Sequence, residues 1–591
     1  MYMNIIVVIF VLGVGYAWMV RGVFNALIQA LCVFFGGAIA FAVWEPLAMT
    51  LISVSPDRGF ASALQDAAWG LGLLVPFTVA TLLLRVATDK IISANIKSAN
   101  AMDYAGGAVF GLAASVLSAG VLIIGISHLR LPSNFLGYQP VWYHEDREGY
   151  LVDADALWIP VTDITAQAYA MVSTGSMSTP EPLAKWRPQV ELTGFANRIS
   201  VGDGAGRNTI EPDAFEPVSS YIVGATSGAT DKRALIGDEK YKNTRGETVG
   251  AAYLAGYVAE FGPQAKERGD GGGQVVVSNG QVSLLAEHPE TGETRVIFPL
   301  ATISESDQPG RYGRWVYDAK DVFITSTGGK SSVPMAFEFL VPADFEPRAV
   351  YVRQIRVPVS EFGDEPRAFA DAAARDSAVP DGSLLTGGQE EIEYDRSGAV
   401  AVDSTDRARS AVISETSSLG TMFSSQTGKQ RGLDINPENQ IVGGEVTLRE
   451  EEVGRSAVSG RSLRVEEFLI GRGQSMVQLK VGDAREGIID GGLLDEAAKN
   501  LGVDEPLALI DSNGDRYEAI GYVYEEEDAD FMLRYTPGST LTGIQDLPPI
   551  SRSKTGQDLE LLFLVTRGVE IESFAVGDTV LMTFEPPLTA D

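Results

Sequence analysis

Cysteine and histidine are scarce in this sequence. Its 591 residues include one cysteine and three histidines. The single cysteine, Cys32, excludes an intrachain disulfide, and its position inside an apolar stretch excludes a hydrolytic nucleophile. The histidines, His128, His144 and His288, lie far apart, and neither an HExxH motif nor a glycine-flanked serine elbow occurs. We therefore expect a protein without enzymatic activity, metal or cofactor.

Positive charge is also scarce. The chain has 46 Lys and Arg against 78 Asp and Glu, which gives a net charge of −32 at pH 7. The first 130 residues are nearly balanced, so almost all of the excess negative charge lies after them. A body this acidic is soluble and repels nucleic acid and anionic lipid headgroups, so no nucleic-acid partner is expected.

Apolar runs of membrane length are absent after residue 130, but four occur before it. They cover about residues 4–20, 23–44, 67–86 and 105–129. Each approaches the ~20 apolar residues with which a helix crosses the hydrocarbon core of a bilayer. None carries a charge at its centre, which argues against a proton relay or an ion-coupled transporter. The sequence predicts an α-helical four-span transmembrane bundle at residues 1–130.

The basic residues beside the spans predict the orientation of the bundle. The turn between spans one and two contains Arg21, and the loop between spans three and four contains Arg85, Lys90 and Lys97. The loop between spans two and three, on the other side of the membrane, contains one basic residue, Arg58. Positively charged loops remain in the cytoplasm. Both ends of the bundle are therefore expected outside, with residues after about 130 extracytoplasmic.

Small residues recur every four positions on two spans. Gly107, Gly111 and Ser115 form such a face on span four, and Gly36 and Ala40 form one on span two. Small side chains let helix backbones approach closely in a membrane. Packing within one bundle is the expected use of these faces, and a homo-oligomer contact is the alternative.

Two short segments carry a recognisable pattern, one directly after span one and one leading into span four. Their residues are Arg21, Gly22 and Val23–Ile28 in the first, and Asp103, Gly107, Gly111 and Ser115 in the second. An acidic residue followed by glycines at these intervals, in a chain with four spans, resembles the colicin V production protein (CvpA) family. The resemblance covers only about residues 1–130. It departs from the family pattern at Tyr104, where a basic residue often stands, and at Ser115, which replaces the last glycine.

The resemblance implies an integral protein of the bacterial inner (cytoplasmic) membrane. Its family is linked to toxin production or export and to envelope homeostasis, and has no established enzymatic activity. From the residues themselves, Arg21 is expected to anchor the membrane boundary and Asp103 to cap or begin span four. A pair between Arg21 and Asp103, or contact of both with a cytoplasmic partner, is the alternative.

The rest of the chain divides by composition. Residues 131–270 are predicted to form a stem and a mixed region, with an amphipathic helix near Asp163–Val172 either on the membrane or packed on the first soluble module. Evenly spaced short strands predict two mainly-β, sandwich-like modules at 271–362 and 461–591. Residues 363–460, poor in aromatics, are predicted to be a flexible acidic linker that contributes a strand within Val442–Val453.

The two modules share short sequence similarities that predict a degenerate repeat. Arg311–Tyr317 is similar to Arg516–Tyr524, and Phe339–Pro342 is similar to Phe563–Thr566. A hairpin is also predicted around Ser278-Asn279-Gly280, because Asn-Gly favours the tight turns that join paired strands.

Two segments resemble chemical motifs and fail their requirements. Thr327–Ser331 ends like a phosphate-binding loop but lacks the first glycine, and Asp511–Asp515 lacks the distal Glu of a calcium loop. Both are interpreted as turns between strands.

Three functions follow from these observations. The first is a non-enzymatic scaffold or accessory factor in the lipid bilayer, whose outer modules bind envelope or export proteins. The second is an oligomeric channel or transport component, and the third is an envelope-sensing receptor. The cytoplasmic loops are short, which leaves no room for a signalling domain.

Overall fold

The protein is described here from a computed structural model. The described residues are 1–56, 62–92, 100–144, 150–175, 178, 181–199, 207–223, 240–242, 248–267, 273–363, 365–386, 394–404, 413–458, 463–483, 501–526, 530–548 and 557–590.

Four long apolar helices open the chain. They are α1 (Tyr2–Met19), α2 (Val23–Val54), α3 (Ala63–Ile91) and α4 (Asn100–Ser127). Each is long and apolar enough to cross a membrane, so the four predicted spans are confirmed. The second was predicted too short, because α2 continues past residue 44 and buries Ala48 and Ile52 above the predicted span.

The β-rich body lies at one end of the bundle. Helix α2 packs against α3 and α4, and α1 packs against α4. The Met3 backbone N–H donates to the carbonyl oxygen of Leu136, in the segment that follows α4, at 3.1 Å. The beginning of α1 and the end of α4 therefore lie on the body's side of the bundle. Arg21 and Arg85 lie at the opposite end, where both approach the Trp18 ring.

The stem holds a small hairpin and three helices. They are β1 (Val141–Tyr143), β2 (Leu151–Asp153), α5 (Val161–Thr174), α6 (Leu183–Trp186) and α7 (Val190–Ala196). Helix α5 is the predicted amphipathic helix, and its buried face does not pack on the first module alone. It lies against α4 and α2 of the bundle.

Two glycines of the bundle make room for α5. A side chain at Gly120 in α4 would overlap Thr165 of α5, and one at Gly37 in α2 would overlap the Tyr169 ring. The Tyr169 hydroxyl donates to the Val33 carbonyl oxygen at 3.2 Å. A single hydrophobic core then runs from the upper part of α2 through Tyr169 into the first β-module.

The first module is built from two main sheets, a two-stranded sheet of β6 and β11, and one short helix. Its elements are β3 (Phe215–Val223), β4 (Lys240–Lys242), β5 (Thr248–Phe261), β6 (Val276–Val277), β7 (Val282–Glu287), β8 (Thr294–Ile297), β9 (Ala301–Glu305), β10 (Tyr312–Val316), β11 (Ile324–Thr325), β12 (Val333–Pro342), β13 (Glu346–Val352), β14 (Ile355–Pro358), β15 (Arg367–Phe369) and α8 (Ala372–Ser377). The large sheet has the order β10-β9-β12-β5-β3-β15, with β4 beside β5, and the small sheet has the order β14-β13-β7-β8. Inward-facing residues of both sheets share one core, so the module is a sandwich.

The second module repeats this plan with additions. Its elements are β16 (Val400–Asp403), β17 (Ile413–Glu415), β18 (Ser418–Ser424), α9 (Ser425–Arg431), β19 (Leu433–Ile435), β20 (Gln440–Leu448), β21 (Arg464–Phe468), β22 (Gln474–Asp483), β23 (Leu507–Asp511), β24 (Arg516–Glu518), β25 (Gly521–Glu526), β26 (Phe531–Tyr535), β27 (Gln557–Thr566), β28 (Glu570–Val576) and β29 (Thr579–Thr589). A five-stranded sheet (β16-β29-β28-β23-β24) faces a nine-stranded one (β17-β22-β27-β25-β26-β20-β21-β18, with β19 beside β20). The far face of the larger sheet carries a second core under α9.

The strand order shows the internal repeat. Strands β10-β9-β12-β5 of the first large sheet correspond to β26-β25-β27-β22 of the second, and β14-β13-β7-β8 corresponds to β29-β28-β23-β24. The similarity between Phe339–Pro342 and Phe563–Thr566 is confirmed, because both segments end equivalent strands. The other similarity is wrong, because Trp315 lies on β10 whereas Tyr522 lies on β25, the equivalent of β9.

Two predicted boundaries need correction. The first module begins before residue 271, because β3 and β5 belong to its large sheet. Much of the predicted linker 363–460 is not a linker, because β18 and β20 pair within the nine-stranded sheet and bury Phe423 and Val446. The strand predicted within Val442–Val453 is the later part of β20. These strands need only alternate apolar residues, because the nine-stranded sheet that they join supplies most of the hydrophobic core.

The hairpin predicted around Asn279 is also wrong. Residues Asn279–Gln281 form a 3₁₀ turn, and Ser278 and Gln281 cap it. Strand β6 pairs with β11, whereas β7 pairs with β8 and β13. The turn lies against α7, where a side chain at Gly280 would overlap Ala196, so a tertiary contact determines its shape.

We predict that Gly37→Ala loosens α5 from the bundle, because the added methyl group occupies the space of the Tyr169 ring. Hydrogen exchange of the α5 amides in detergent micelles should become about tenfold faster, the ratio that corresponds to a loss of ~1.4 kcal/mol. Gly13→Ala is the matched control, because nothing lies within 4 Å of a methyl group there. Equal exchange rates of the α5 amides in the two variants would contradict this packing of α5 on the bundle.

Candidate functional site

Asp103 caps a helix other than its own. It lies in the first turn of α4, and its Oδ1 accepts a hydrogen bond from the backbone N–H of Val23 at 3.0 Å. Val23 begins α2, and the residue at the N-cap position is Gly22, which has no side chain to serve as a cap. The carboxylate also carries the charge that the positive end of the α2 dipole favours. Helix α4 thus supplies the cap that the sequence next to α2 lacks.

Gly22 is required at this contact for two reasons. Its φ of 90° lies in the region that favours glycine. A Cβ there would also lie 2.9 Å from the Asp103 carboxylate. The Gly22 backbone and the Asp103 side chain therefore fit together only while position 22 has no side chain.

Arg21 packs on an aromatic side chain at the same end of the bundle. Its guanidinium lies over the Trp18 ring at 4.6 Å, and that of Arg85 lies 5.2 Å from the same ring. Arg85 also pairs with Asp89 at 2.8 Å. Arginine on an aromatic face at the end of a span is the arrangement expected of a boundary anchor.

The small face of α4 is covered by α1. A Cβ at Gly107 would lie 2.9 Å from the Met19 carbonyl oxygen, and one at Gly111 would lie 2.8 Å from that of Gly15. Ser115 is fully buried and donates to the Leu112 carbonyl oxygen at 2.9 Å. Gly22, Asp103, Gly107 and Gly111 therefore lie along the contact of α4 with α1 and the start of α2, whereas Arg21 packs on Trp18 and Ser115 bonds within its own helix.

The small face of α2 is also used inside the bundle. Gly36 lies against α3, where a Cβ would be 3.1 Å from the Thr81 backbone nitrogen, and Ala40 is fully buried. The interpretation of both small faces as contacts within the bundle thus agrees with the geometry of the described residues.

A second cluster joins the two β-modules, and it contains both segments that resembled chemical motifs. Lys330, in the loop between β11 and β12, pairs with Glu305 of its own module at 2.8 Å and with Asp515 of the second module at 2.6 Å. The Thr566 hydroxyl donates to the Gly328 carbonyl oxygen at 2.7 Å across the same joint. Asp511 accepts from the backbone N–H of Asp515 at 2.9 Å, which closes the β23–β24 hairpin turn. Both segments are turns, as predicted.

Burial and charge determine the protonation of this joint. Burial alone would lower the pKa of Lys330, but the carboxylates of Asp515 and Glu305 outweigh it and hold that pKa above its usual value. Burial lowers the pKa of neighbouring Lys266 to about 8. Burial and the charge of Asp515 together raise the pKa of Asp511. The joint is a structural ion cluster, and no signal in either segment alone indicated that they meet.

The histidines and the groups that could bind a metal are dispersed over the described residues. No group of three or more His, Cys, Asp or Glu side chains within them is placed to hold a metal ion. His128 is buried beside Trp44, with ring centroids 5.0 Å apart. His288 lies 3.7 Å from Asp344 near the surface of the first module. These side chains pack and pair in separate places.

No family model, curated protein or solved structure matches this chain.

We predict that Asp103→Ala and Gly22→Ala each destabilise the bundle, and that their effects are not additive. Loss of a helix cap costs about 1 kcal/mol, and Gly22→Ala places a methyl group against the carboxylate that Asp103→Ala removes. The double variant should therefore be more stable than the sum of the single effects implies, as measured by unfolding in mixed detergent micelles.

Asp89→Ala is the control for this experiment, because Asp89 lies at the same end of the bundle in an exposed ion pair. Such pairs contribute only ~0.5 kcal/mol. An effect of Asp103→Ala no larger than that of Asp89→Ala, or strict additivity with Gly22→Ala, would remove the capping interpretation.

We predict that Lys330→Met loosens the joint between the modules. The change leaves Glu305 and Asp515 without their shared cation, and breaking a buried pair by removing one partner costs about 3–5 kcal/mol. Thermal unfolding of the full-length protein in detergent, followed by circular dichroism of the β-structure, should begin at a lower temperature. Lys320→Met, at an exposed position of the same module, should change little, and similar transitions for both variants would refute the role of Lys330.

Proposed function

We propose that this protein is a non-enzymatic membrane scaffold, or accessory factor, of the colicin V production (CvpA) type. Its activity would lie in toxin production or export or in envelope homeostasis. The observation that carries the proposal is the convergence of four of the six motif residues, Gly22, Asp103, Gly107 and Gly111, on one helix contact. Gly22 and Asp103, far apart in the sequence, meet at the start of α2 with a geometry that uses both residue types. Residues of a sequence motif that serve one function are expected to contact each other in this way.

The proposed location is the bacterial inner membrane, with the body on the extracytoplasmic side. Arg21, Arg85 and Lys90 belong to the end of the bundle that lies away from the body. Positively charged ends of membrane helices favour the cytoplasm, which supports an outward-facing body. The strong negative charge of that body keeps it soluble in an aqueous compartment.

The architecture of the body favours binding over catalysis. Two sandwiches of one plan are joined through Lys330, and the first shares a core with the bundle. Such an arrangement holds surfaces at a defined position above the membrane. Trp315 is a candidate contact, because it lies on the edge strand β10 and leaves 39% of its surface exposed. Exposed aromatic residues are enriched where proteins bind each other.

Self-assembly into a channel is the weaker proposal. The small faces that would support helix contacts between copies are occupied inside the bundle by α1 and α3. A lipid-facing surface of ordinary large apolar residues remains, including Ile9 and Leu83. Such side chains suit contact with acyl chains.

We predict that a photo-crosslinking amino acid in place of Trp315 captures a specific envelope or export protein in living cells. The same amino acid at Glu290, in the exposed turn between β7 and β8, is the control for non-specific capture. Mass spectrometry identifies the captured protein. An extracytoplasmic partner captured at Trp315 and not at Glu290 supports the scaffold.

Other outcomes would count against the proposal. Capture of a cytoplasmic protein would reverse the proposed orientation. Capture of a second copy of this chain alone would favour the channel, and conductance in planar bilayers would then be the decisive measurement. Turnover of a cell-wall substrate by the purified protein would exclude a purely structural role.

A further inference from the structure

A cavity of about 340 Å³ lies where α2, α5 and α6 meet. This volume is near the lower end of the range of roughly 300–1,000 Å³ that small-molecule sites occupy. One wall is apolar and includes Ala38 and Phe41 of α2 and Val172 of α5. The other end is charged, with Glu45, Glu181 and Arg187. The cavity is therefore divided into an apolar part and an ionic part.

The position of the cavity along α2 shows what each part would contact in a membrane. At 1.5 Å per residue, Ala38 lies about 22 Å and Glu45 about 33 Å from Val23, which begins the helix at the charged end of the bundle. The hydrocarbon core of a bilayer is ~30 Å thick. The apolar wall thus falls within the acyl chains and the charges fall at the headgroups. Ile39 lines the cavity and remains 43% exposed, so the cavity opens on the lipid-facing side of α2.

Arg187 is held rigidly at the ionic end. Its guanidinium donates to the side-chain oxygen of Gln354 at 2.8 Å and to the Gln354 carbonyl oxygen at 3.0 Å. Its centre lies 4.6 Å from the Trp69 ring and 5.1 Å from the Tyr351 ring. Within the described part of the chain its buried Nε has no acceptor. Because Arg187 lines the cavity, its fixed guanidinium group is the cation that an oxygen atom of a bound molecule would meet there.

The ionic end contains charges of both signs. Glu45 lies 3.4 Å from Arg187 and 3.6 Å from Arg356, and Arg356 pairs with Glu181 at 2.6 Å. Two guanidinium groups and two carboxylates therefore lie together. An anionic headgroup would meet the two carboxylates, and a cationic one would meet the two arginines. A molecule that carries both charges places each charge beside a group of opposite sign, in addition to the ion pairs that these groups already form.

We propose that this cavity binds one zwitterionic glycerophospholipid, of the phosphatidylethanolamine class. A phosphate oxygen accepts from Arg187, the ammonium group lies near Glu45 and Glu181, and an acyl chain lies along the apolar wall of α2 and α5. The lining residues are tied to both parts of the molecule, since Glu45 belongs to α2 and Arg187 bonds to Gln354 of the first module. A bound lipid therefore also joins the body to the bundle.

Lipid binding by the full-length protein tests this proposal. The protein is purified in detergent and delipidated, and phosphatidylethanolamine or phosphatidylglycerol is titrated in and counted by native mass spectrometry. The wild type should bind phosphatidylethanolamine about tenfold more tightly, as expected from one additional charge-assisted contact. Glu45→Gln should remove most of this preference while leaving Arg187 in place.

A second variant tests the apolar wall without altering a charge. Ala38→Phe fills the space of the acyl chain and should lower the affinity for both lipids. Val79→Phe, on the lipid-facing side of α3, is the matched control and should bind like the wild type. The thermal unfolding midpoints of both variants without lipid establish that they remain folded.

Three results would overturn the proposal. The first is equal affinity of the wild type for the two lipids. The second is equal lipid binding by Ala38→Phe and Val79→Phe. The third is binding of glycerophosphoethanolamine, which lacks acyl chains, as tightly as the whole lipid, since that would identify a site for a soluble phosphate ester.

Discussion

The seat of α5 on the bundle is the contact on which the arrangement of the body depends. Tyr169 enters the space that Gly37 leaves open on α2 and bonds to a backbone carbonyl there. From this point one hydrophobic core continues into the first module. The bundle and the module are therefore packed as one body, and the cavity beside Glu45 exists only because α5 and α6 are held against α2.

Two kinds of contact hold the molecule together. Helix backbones approach closely in the bundle, and buried charged side chains pair between the modules. In the bundle, glycines let α4 reach α1 and let Asp103 cap α2. Between the modules, Lys330 satisfies carboxylates from both sides of the joint. Apolar helices in lipid gain little from hydrophobic contact with each other, so close backbone approach suits the bundle. Between the modules, removing one member of a buried charged pair is strongly destabilising.

Of the two short sequence similarities between the modules, one identified equivalent strands and the other did not. The similarity between Phe339–Pro342 and Phe563–Thr566 identified equivalent strands, because these residues fill the same central strand of each sandwich. The similarity that involved Trp315 and Tyr522 did not, because alternating aromatic and apolar residues occur on many strands of one sheet. Strand pairing is a contact between distant segments, and only the pairing distinguished the two cases.

The sequence by itself determined the four helices, the strand-rich body, the turns at Lys330 and Asp511 and the closely packed faces of the bundle. These features follow from local period, length and residue size. The tertiary structure alone decided that Asp103 caps α2, that much of residues 363–460 joins a sheet, and that Arg187 lies at a cavity with Glu45. Each of these is a contact between segments far apart in the chain, and local composition contains no information about which distant segment will supply the partner.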